Sequence, residues 1–241
     1  MAKRNLFALL VGIDEYPIDS HRLFGCHNDV NAAKAYLDNR VNRNEFNLNV
    51  KTLLSAEATR LNIVRAFEEH LAQAEENDVA FFFYSGHGSQ EPAGTFFSHL
   101  EPDGKNETLV CWDSRLEDGM DLADKELATL IQMVSQKNPH IVTLLDCCHS
   151  GSATRKVDDG SEDFLVRKSP DSDNVRPLDS YILPRNQSID RSALSTAGTS
   201  SLRLPTGRHI ALTAAESFQL AKETTLGGSR RGVFSYSLLE L

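Results

Sequence analysis

Two short segments carry groups able to break an acyl bond. Tyr84-Ser85-Gly86-His87-Gly88-Ser89 sets a histidine between glycines, where the backbone can turn sharply and approach a substrate. Asp146-Cys147-Cys148-His149-Ser150-Gly151 presents a thiol further along the chain. A free thiol has a pKa of about 8.5; an imidazole brought beside it raises the thiolate fraction and later protonates a leaving amine. The separation of the two segments is compatible with a histidine that meets its cysteine in space. A phosphate loop is the competing reading of the first segment, but Glu91 stands where the next glycine would be and no Walker lysine follows.

Each segment follows an apolar run that must position it. Leu6 to Ile13, Val79 to Tyr84 and Ile141 to Leu145 are nearly continuous in apolar residues, as strands buried on both faces of a parallel sheet are. Ile210 to Thr213 is a shorter fourth run, and Val50 to Leu54 reads as an edge or second strand. Between them lie helical patterns: Val30 to Leu37, then Thr59 as an N-cap before Val64, Phe67, Leu71 and Ala74, then Leu122 to Val134, with Val233 to Leu241 beginning a last helix. Strands alternating with helices predict an α/β fold with a mostly parallel central sheet and helices on both faces. In such sheets functional groups gather beyond the carboxyl ends of the strands, where His87 and Cys148 fall.

The 241 residues, 40% of them apolar, suffice for one sizeable core. Acidic residues outnumber basic ones by 34 to 25, a net charge of −9, which disfavours nucleic acid and welcomes a basic peptide. Lys3 and Arg4 before an apolar run imitate a short signal peptide, but Asp14 and Glu15 follow at once without a cleavage site. No run approaches the ~20 residues that cross a bilayer, so a non-membrane, cytoplasmic protein is expected. The four cysteines, Cys26, Cys111, Cys147 and Cys148, include an adjacent pair that suits neither a disulfide framework nor a CxxC metal knuckle. Zinc held by them with His27 or His149 lacks the paired spacing. From Ser152 to Gly207 the chain turns to Ser, Asp, Arg, Pro and Gly, too long for an ordinary connection, and reads as a mobile linker or insertion. It carries Arg155, Lys156, Arg167, Lys168, Arg176, Arg185 and Arg191. Three regions result: 1–151, the linker 152–207, and 208–241, whose last helix stops so abruptly that a longer parent chain is expected.

Both chemistry-bearing segments resemble the histidine and cysteine motifs of metacaspases and related prokaryotic caspase-like, C14-type cysteine peptidases. Leu6 to Tyr16 resembles that family's first strand and turn, Gly25-Cys26-His27-Asn28-Asp29-Val30 its following cysteine and aspartate motif, and His209 to Glu223 with Gly232 to Leu241 its small-subunit region. The resemblance covers the chain except for the linker. It implies a caspase-like fold, with a large-subunit-like region over 1–151 and a small-subunit-like region over 208–241.

The resemblance implies Cys148 as nucleophile, His87 as general acid and base, and the backbone N–H groups of Gly88 and Cys148 as oxyanion donors. It implies Asp29 and Asp146, with Ser85 and Cys26 nearby, as the pocket for a basic residue before the cut. Cys147 is expected to face away from the site, because successive strand residues point to opposite sides. The family implies a peptide or protein substrate with basic P1, a monomer, self-cleavage within the basic linker, and weakly a role in regulated cell death or stress. No cofactor is needed for this chemistry. Many relatives need calcium, for which Asp103, Asp121 and Asp124 are the candidates here, but Lys125 and Arg155 stand where further carboxylates are expected. A catalytically silent scaffold and a peptidase cutting after Asp are the rival readings.

Overall fold

The structure is a computed structural model that describes residues 3–148, 164–183, 207–215 and 219–240. A five-stranded sheet forms its centre, built from β1 (Arg4–Gly12), β2 (Phe46–Leu54), β3 (Val79–Ser85), β7 (His140–Asp146) and β9 (Ile210–Thr213) in the order β2-β1-β3-β7-β9. Every pairing in it is parallel. Between β3 and β7 a second sheet is inserted, β4 (Gly88–Pro92), β5 (Lys105–Leu109) and β6 (Leu122–Ala123), all antiparallel. A third sheet joins β8 (Leu165–Val166) to the hairpin β10 (Lys222–Leu226) and β11 (Ser229–Gly232). The helices are α1 (Cys26–Arg40), α2 (Arg60–Glu69), the single turn α3 (Gly94–Phe97), α4 (Asp124–Ser135) and α5 (Val233–Leu239).

The apolar runs form central strands because both faces of the sheet are covered. Along β1, Phe7, Leu9 and Val11 pack with α2 and α4 on one side, while Leu6, Ala8 and Leu10 pack with α1 and α5 on the other. On the first side Phe67 of α2 meets Phe82 edge to face at 4.8 Å between centroids, and truncating such a buried ring to alanine costs about 3–5 kcal/mol. Thr59 caps α2 as expected, its hydroxyl accepting from the Asn62 N–H. That helix stops at Glu69, so Leu71 lies in the short turn beyond it, and the helix expected from Leu122 begins at Asp124 after two residues of strand.

Register places the strand ends side by side. Gly12 pairs with Ser85 and Ser85 with Asp146, so β1, β3 and β7 finish at one level. There α1 packs so closely that a Cβ on Gly12 would lie 2.7 Å from Val30 and 2.9 Å from the Cys26 carbonyl oxygen. The first turn of α1 is held by the Asp14 carboxylate, which accepts from the N–H groups of Cys26 and His27. Asp29 is thereby carried to the strand ends.

Part of the stretch expected to be a mobile linker is packed instead. Within 164–183, Val166, Arg167, Lys168, Ser169, Arg176 and Tyr181 are buried. Polar composition misses this because charge pairing, more than apolar contact, anchors the segment. Arg155, Lys156, Arg185 and Arg191 lie outside the described residues.

Candidate active site

Beyond the end of β3, His87 is held by its own main chain. Its N–H donates to the Tyr16 hydroxyl at 2.9 Å, and its carbonyl accepts from the Tyr84 hydroxyl at 2.7 Å and the Val110 N–H at 3.0 Å. Gly86 is required here, since a Cβ would meet the hydroxyls of Tyr84 and Tyr16 at 2.6 and 2.9 Å. The imidazole Nε2 lies 2.8 Å from the His21 carbonyl oxygen, an acceptor that keeps the proton on Nε2 and the lone pair on Nδ1. Tyr16 lies 5.1 Å from the ring, centroid to centroid.

Beyond the end of β7, Cys147 and Cys148 diverge. Cys147 sits in the core beneath α2 and α4, and burial pushes its thiol up. Cys148 is buried outside that core, its thiol 3.1 Å from the Gln219 carbonyl oxygen. None of the four cysteines is in a disulfide.

The loops of His87 and Cys148 converge on a carbonyl of the chain itself. The N–H groups of Gly88 and Cys148 both donate to the Arg167 carbonyl oxygen, at 3.0 and 3.2 Å. Residues before Arg167 lie antiparallel to β10, with Val166 opposite Lys222, and the Arg167 N–H donates to the Ala221 carbonyl at 3.0 Å. Residues after it run along β4: the Ser169 N–H donates to the Gly88 carbonyl and the Ser172 N–H to the Gln90 carbonyl.

The Arg167 side chain is fully buried at the strand ends. Its guanidinium lies 2.7 Å from Asp29, 3.1 Å from Asp146 and 3.2 Å from Glu223, and donates to the Ser85 hydroxyl at 2.8 Å. The carboxylates have further partners. Asp29 accepts from Arg231 Nε at 2.7 Å and from the Gly232 N–H, Asp146 from the N–H and hydroxyl of Ser235, and Glu223 from the N–H groups of Phe24 and Gly25. Burial pushes the carboxyls of Asp146 and Glu223 up, with Arg167 opposing it in both. Burial pulls the guanidinium down, and Asp146, Cys26, Asp29 and Glu223 together outweigh it, so Arg167 stays charged. Cys26 is buried at the foot of the pocket, its thiol pushed up by burial and opposed by Arg167. The sequence-expected residues Asp29, Asp146, Ser85 and Cys26 are thus together, around a side chain from the supposed linker.

A family model of the metacaspase, peptidase C14 domain matches residues 7–156. The chain belongs to the metacaspase family. Metacaspase-1 of Plasmodium falciparum is 33% identical over 152 residues, 61% of this chain and 24% of that protein. Metacaspase-6 of Arabidopsis thaliana is 29% identical over 206 residues, 79% of this chain and 52% of that protein. The chain therefore spans between a quarter and about half of these relatives. A crystal structure of a Geobacter sulfurreducens protein shares the fold, with a TM-score of 0.62 and 23% identity over 98% of this chain and 81% of that one.

Calcium, which the metacaspase resemblance implies, does not fit the acidic residues near α4. The Lys125 ammonium lies between Asp124, at 2.5 Å, and Glu101. Asp121 is paired with Arg115 at 2.5 Å and accepts from the Thr108 hydroxyl at 2.7 Å, while Asp103 accepts from the Lys105 N–H. A calcium site needs six to eight oxygen ligands, and the carboxylates of Asp121 and Asp124 already hold the chain's own cations. Among the described residues, Asp14, Cys26 and Glu223 also place ligand atoms within 4.8 Å of one another, but these carboxylates hold the α1 N-terminus and Arg167.

Sequence reasoning on this metacaspase does not single out Glu223, Ser235, the His21 carbonyl or Arg167 as the pocket's occupant. Glu223 sits on a short strand, Lys-Glu-Thr-Thr-Leu, without a periodic signal. A carbonyl carries no residue-type signal at all.

Proposed function

We propose that this chain is a cysteine endopeptidase that cuts after Arg or Lys, and that its own Arg167–Lys168 bond is its first substrate. The reading rests on one observation: the Arg167 carbonyl oxygen accepts from the N–H groups of Gly88 and Cys148 while its guanidinium sits among Asp29, Asp146 and Glu223. In this reading Cys148 and His87 are the catalytic dyad. His87 Nδ1 takes the thiol proton, and the Cys148 sulfur attacks the Arg167 carbonyl carbon. The two N–H groups stabilise the oxyanion, a contribution of about 10²–10³ in rate per donor. The C–N bond to Lys168 breaks as His87 returns the proton to the leaving amine. Water, deprotonated by His87, then hydrolyses the thioester to leave the Arg167 carboxylate and a free thiol.

Three buried carboxylates favour a cation and would repel an aspartate, which argues against an Asp-cutting peptidase. The Lys125, Arg115 and Asp121 pairings support activity without calcium. Unbridged cysteines agree with a reducing, cytoplasmic location. No helix among the described residues is long and apolar enough to cross a membrane. A monomer is the expected state.

Intact mass and hydrolysis of fluorogenic Arg, Lys and Asp peptides test the reading in wild type and Cys148→Ala. Wild type should be cut after Arg167 and should hydrolyse Arg and Lys peptides, with Cys148→Ala inert. A wild-type chain that stays intact and hydrolyses nothing returns the molecule to a scaffold.

A further inference from the structure

The packed segment carries a second buried arginine with no part in the dyad. Arg176 lies in a socket made by Glu91 of β4 and Glu126 of α4. Its guanidinium is 3.4 Å from both oxygens of Glu91 and 3.2 Å from both oxygens of Glu126, and it donates to the Asp121 carbonyl at 3.1 Å. It also lies 4.0 Å over the ring of Tyr181, whose hydroxyl donates to Glu91 at 2.8 Å. The socket does not depend on this occupant. Glu126 keeps an ion pair with Arg60 and accepts from the Ala123 N–H, and Glu91 accepts from the Asn106 side-chain amide. A site whose acids keep resident partners can release one arginine and accept another. None of these contacts, nor those of Ser169 and Ser172 to β4, involves a residue before Lys168, so breaking the Arg167–Lys168 bond removes none of them.

We propose that this socket is a second basic-residue subsite on the leaving side of the cut: it retains Arg176 after self-cleavage, and once that segment is displaced it takes an Arg or Lys lying nine residues past the cut in a protein substrate. Both halves of the proposal rest on the peptidase reading, the first because it needs the cut at Arg167–Lys168; the hold of the socket on the uncut segment rests on the geometry alone. Self-cleavage by itself then opens the arginine pocket but leaves the leaving side closed. Short amides enter the cut enzyme, and extended chains must compete with Arg176.

Hydrogen exchange tests retention without an added substrate. Amides of 172–183 should be equally protected in uncut Cys148→Ala and in the self-cut full chain, and should exchange at least about tenfold faster in Cys148→Ala/Glu91→Gln, with the central sheet unchanged. Loss of protection on cutting, or no response to Glu91→Gln, overturns the clamp. Two quenched peptides with Arg before the cut and either Arg or Ala nine residues after it test recognition, against a short Arg amide as reference. The Arg176→Ala chain should favour the Arg peptide about tenfold through KM, and Arg176→Ala/Glu91→Gln should show no preference. If Arg176→Ala does not fold, Arg176→Lys should show the same preference more weakly. Equal use of the two peptides removes the subsite. If the short amide is not hydrolysed and the wild-type chain stays uncut, the peptidase reading falls and the proposal with it, while exchange in Cys148→Ala against Cys148→Ala/Glu91→Gln still decides whether the socket holds the segment.

Discussion

Arg167 and Arg176 leave one segment nine residues apart, both buried among carboxylates, and they do different things. On the reading proposed above, recognition and chemistry would coincide around Arg167: its guanidinium meets Asp29, Asp146 and Glu223 while its carbonyl meets the N–H groups of Gly88 and Cys148. Around Arg176 the socket engages the guanidinium through Glu91, Glu126 and the Asp121 carbonyl. Gripping a basic side chain and breaking a bond are thus separable tasks. The first needs only buried acids, which the molecule has built twice. The second needs two amides and a thiol fixed at the ends of two neighbouring strands.

The comparison breaks most readily at the bond itself. Arg167→Gln should slow the cut at 167–168 by about 10³-fold or more, because the pocket's three carboxylates lose the guanidinium they share, whereas Arg176→Gln should change it by no more than about tenfold. Intact mass over time reads both, and equal losses would mean that the two sites act as one. Stability should separate them next. Arg167→Met takes the cation from Asp146 and one of two from Asp29 and Glu223, which keep Arg231 and Arg230, and should lower unfolding free energy by about 3–5 kcal/mol because all three carboxylates are fully buried, while Arg176→Met should cost about 1–3 kcal/mol because Arg60 and Asn106 remain. Denaturant melts check the order.

Dependence on pH sharpens the same contrast. Burial raises the carboxyls of Asp146, Glu223 and Glu91, with the arginines opposing it, so in this window the folded chain holds protons that the unfolded chain has released. Their contribution to stability therefore falls as pH rises from the ordinary carboxylate range through the raised values. Asp171 runs the other way. Burial would raise it, but Lys105 and Lys168 outweigh burial and hold it low, so its contribution is present above the ordinary range and lost as pH falls through its lowered pKa. Melting temperatures from pH ~3 to ~8 should steepen on the neutral side in Arg167→Met, as its opposition to burial is lost, and change less there in Arg176→Met. The smallest effect concerns calcium. Peptide hydrolysis with calcium or with chelator should differ by less than about twofold, and a strict calcium requirement would show that Lys125 yields its place.

The placement of His87 and Cys148 was legible in the sequence, because a residue next to a strand end is marked by the run before it. His87 and Cys148 each follow an apolar run, and runs of that kind form central strands once both faces are covered. The antiparallel sheet of β4 to β6 was not legible, since Gly-Ser-Gln-Glu-Pro and Lys-Asn-Glu-Thr-Leu show little alternation and earn their burial from side-chain pairing. The docked segment was hidden for a related reason. Composition counts apolar residues, while 164–183 is anchored by two arginines whose partners lie far away in sequence, Asp29 and Glu91 among them.

Gly232 carries a last consequence. A Cβ there would stand 2.2 Å from an Asp146 carboxylate oxygen and 2.4 Å from a terminal nitrogen of Arg167. The depth of the arginine pocket is therefore set by a hydrogen atom. One added methyl would work as a plug fitted from inside the wall, shutting out every long side chain, the chain's own included, while the Cys148 thiol and the His87 imidazole stay intact behind a closed door.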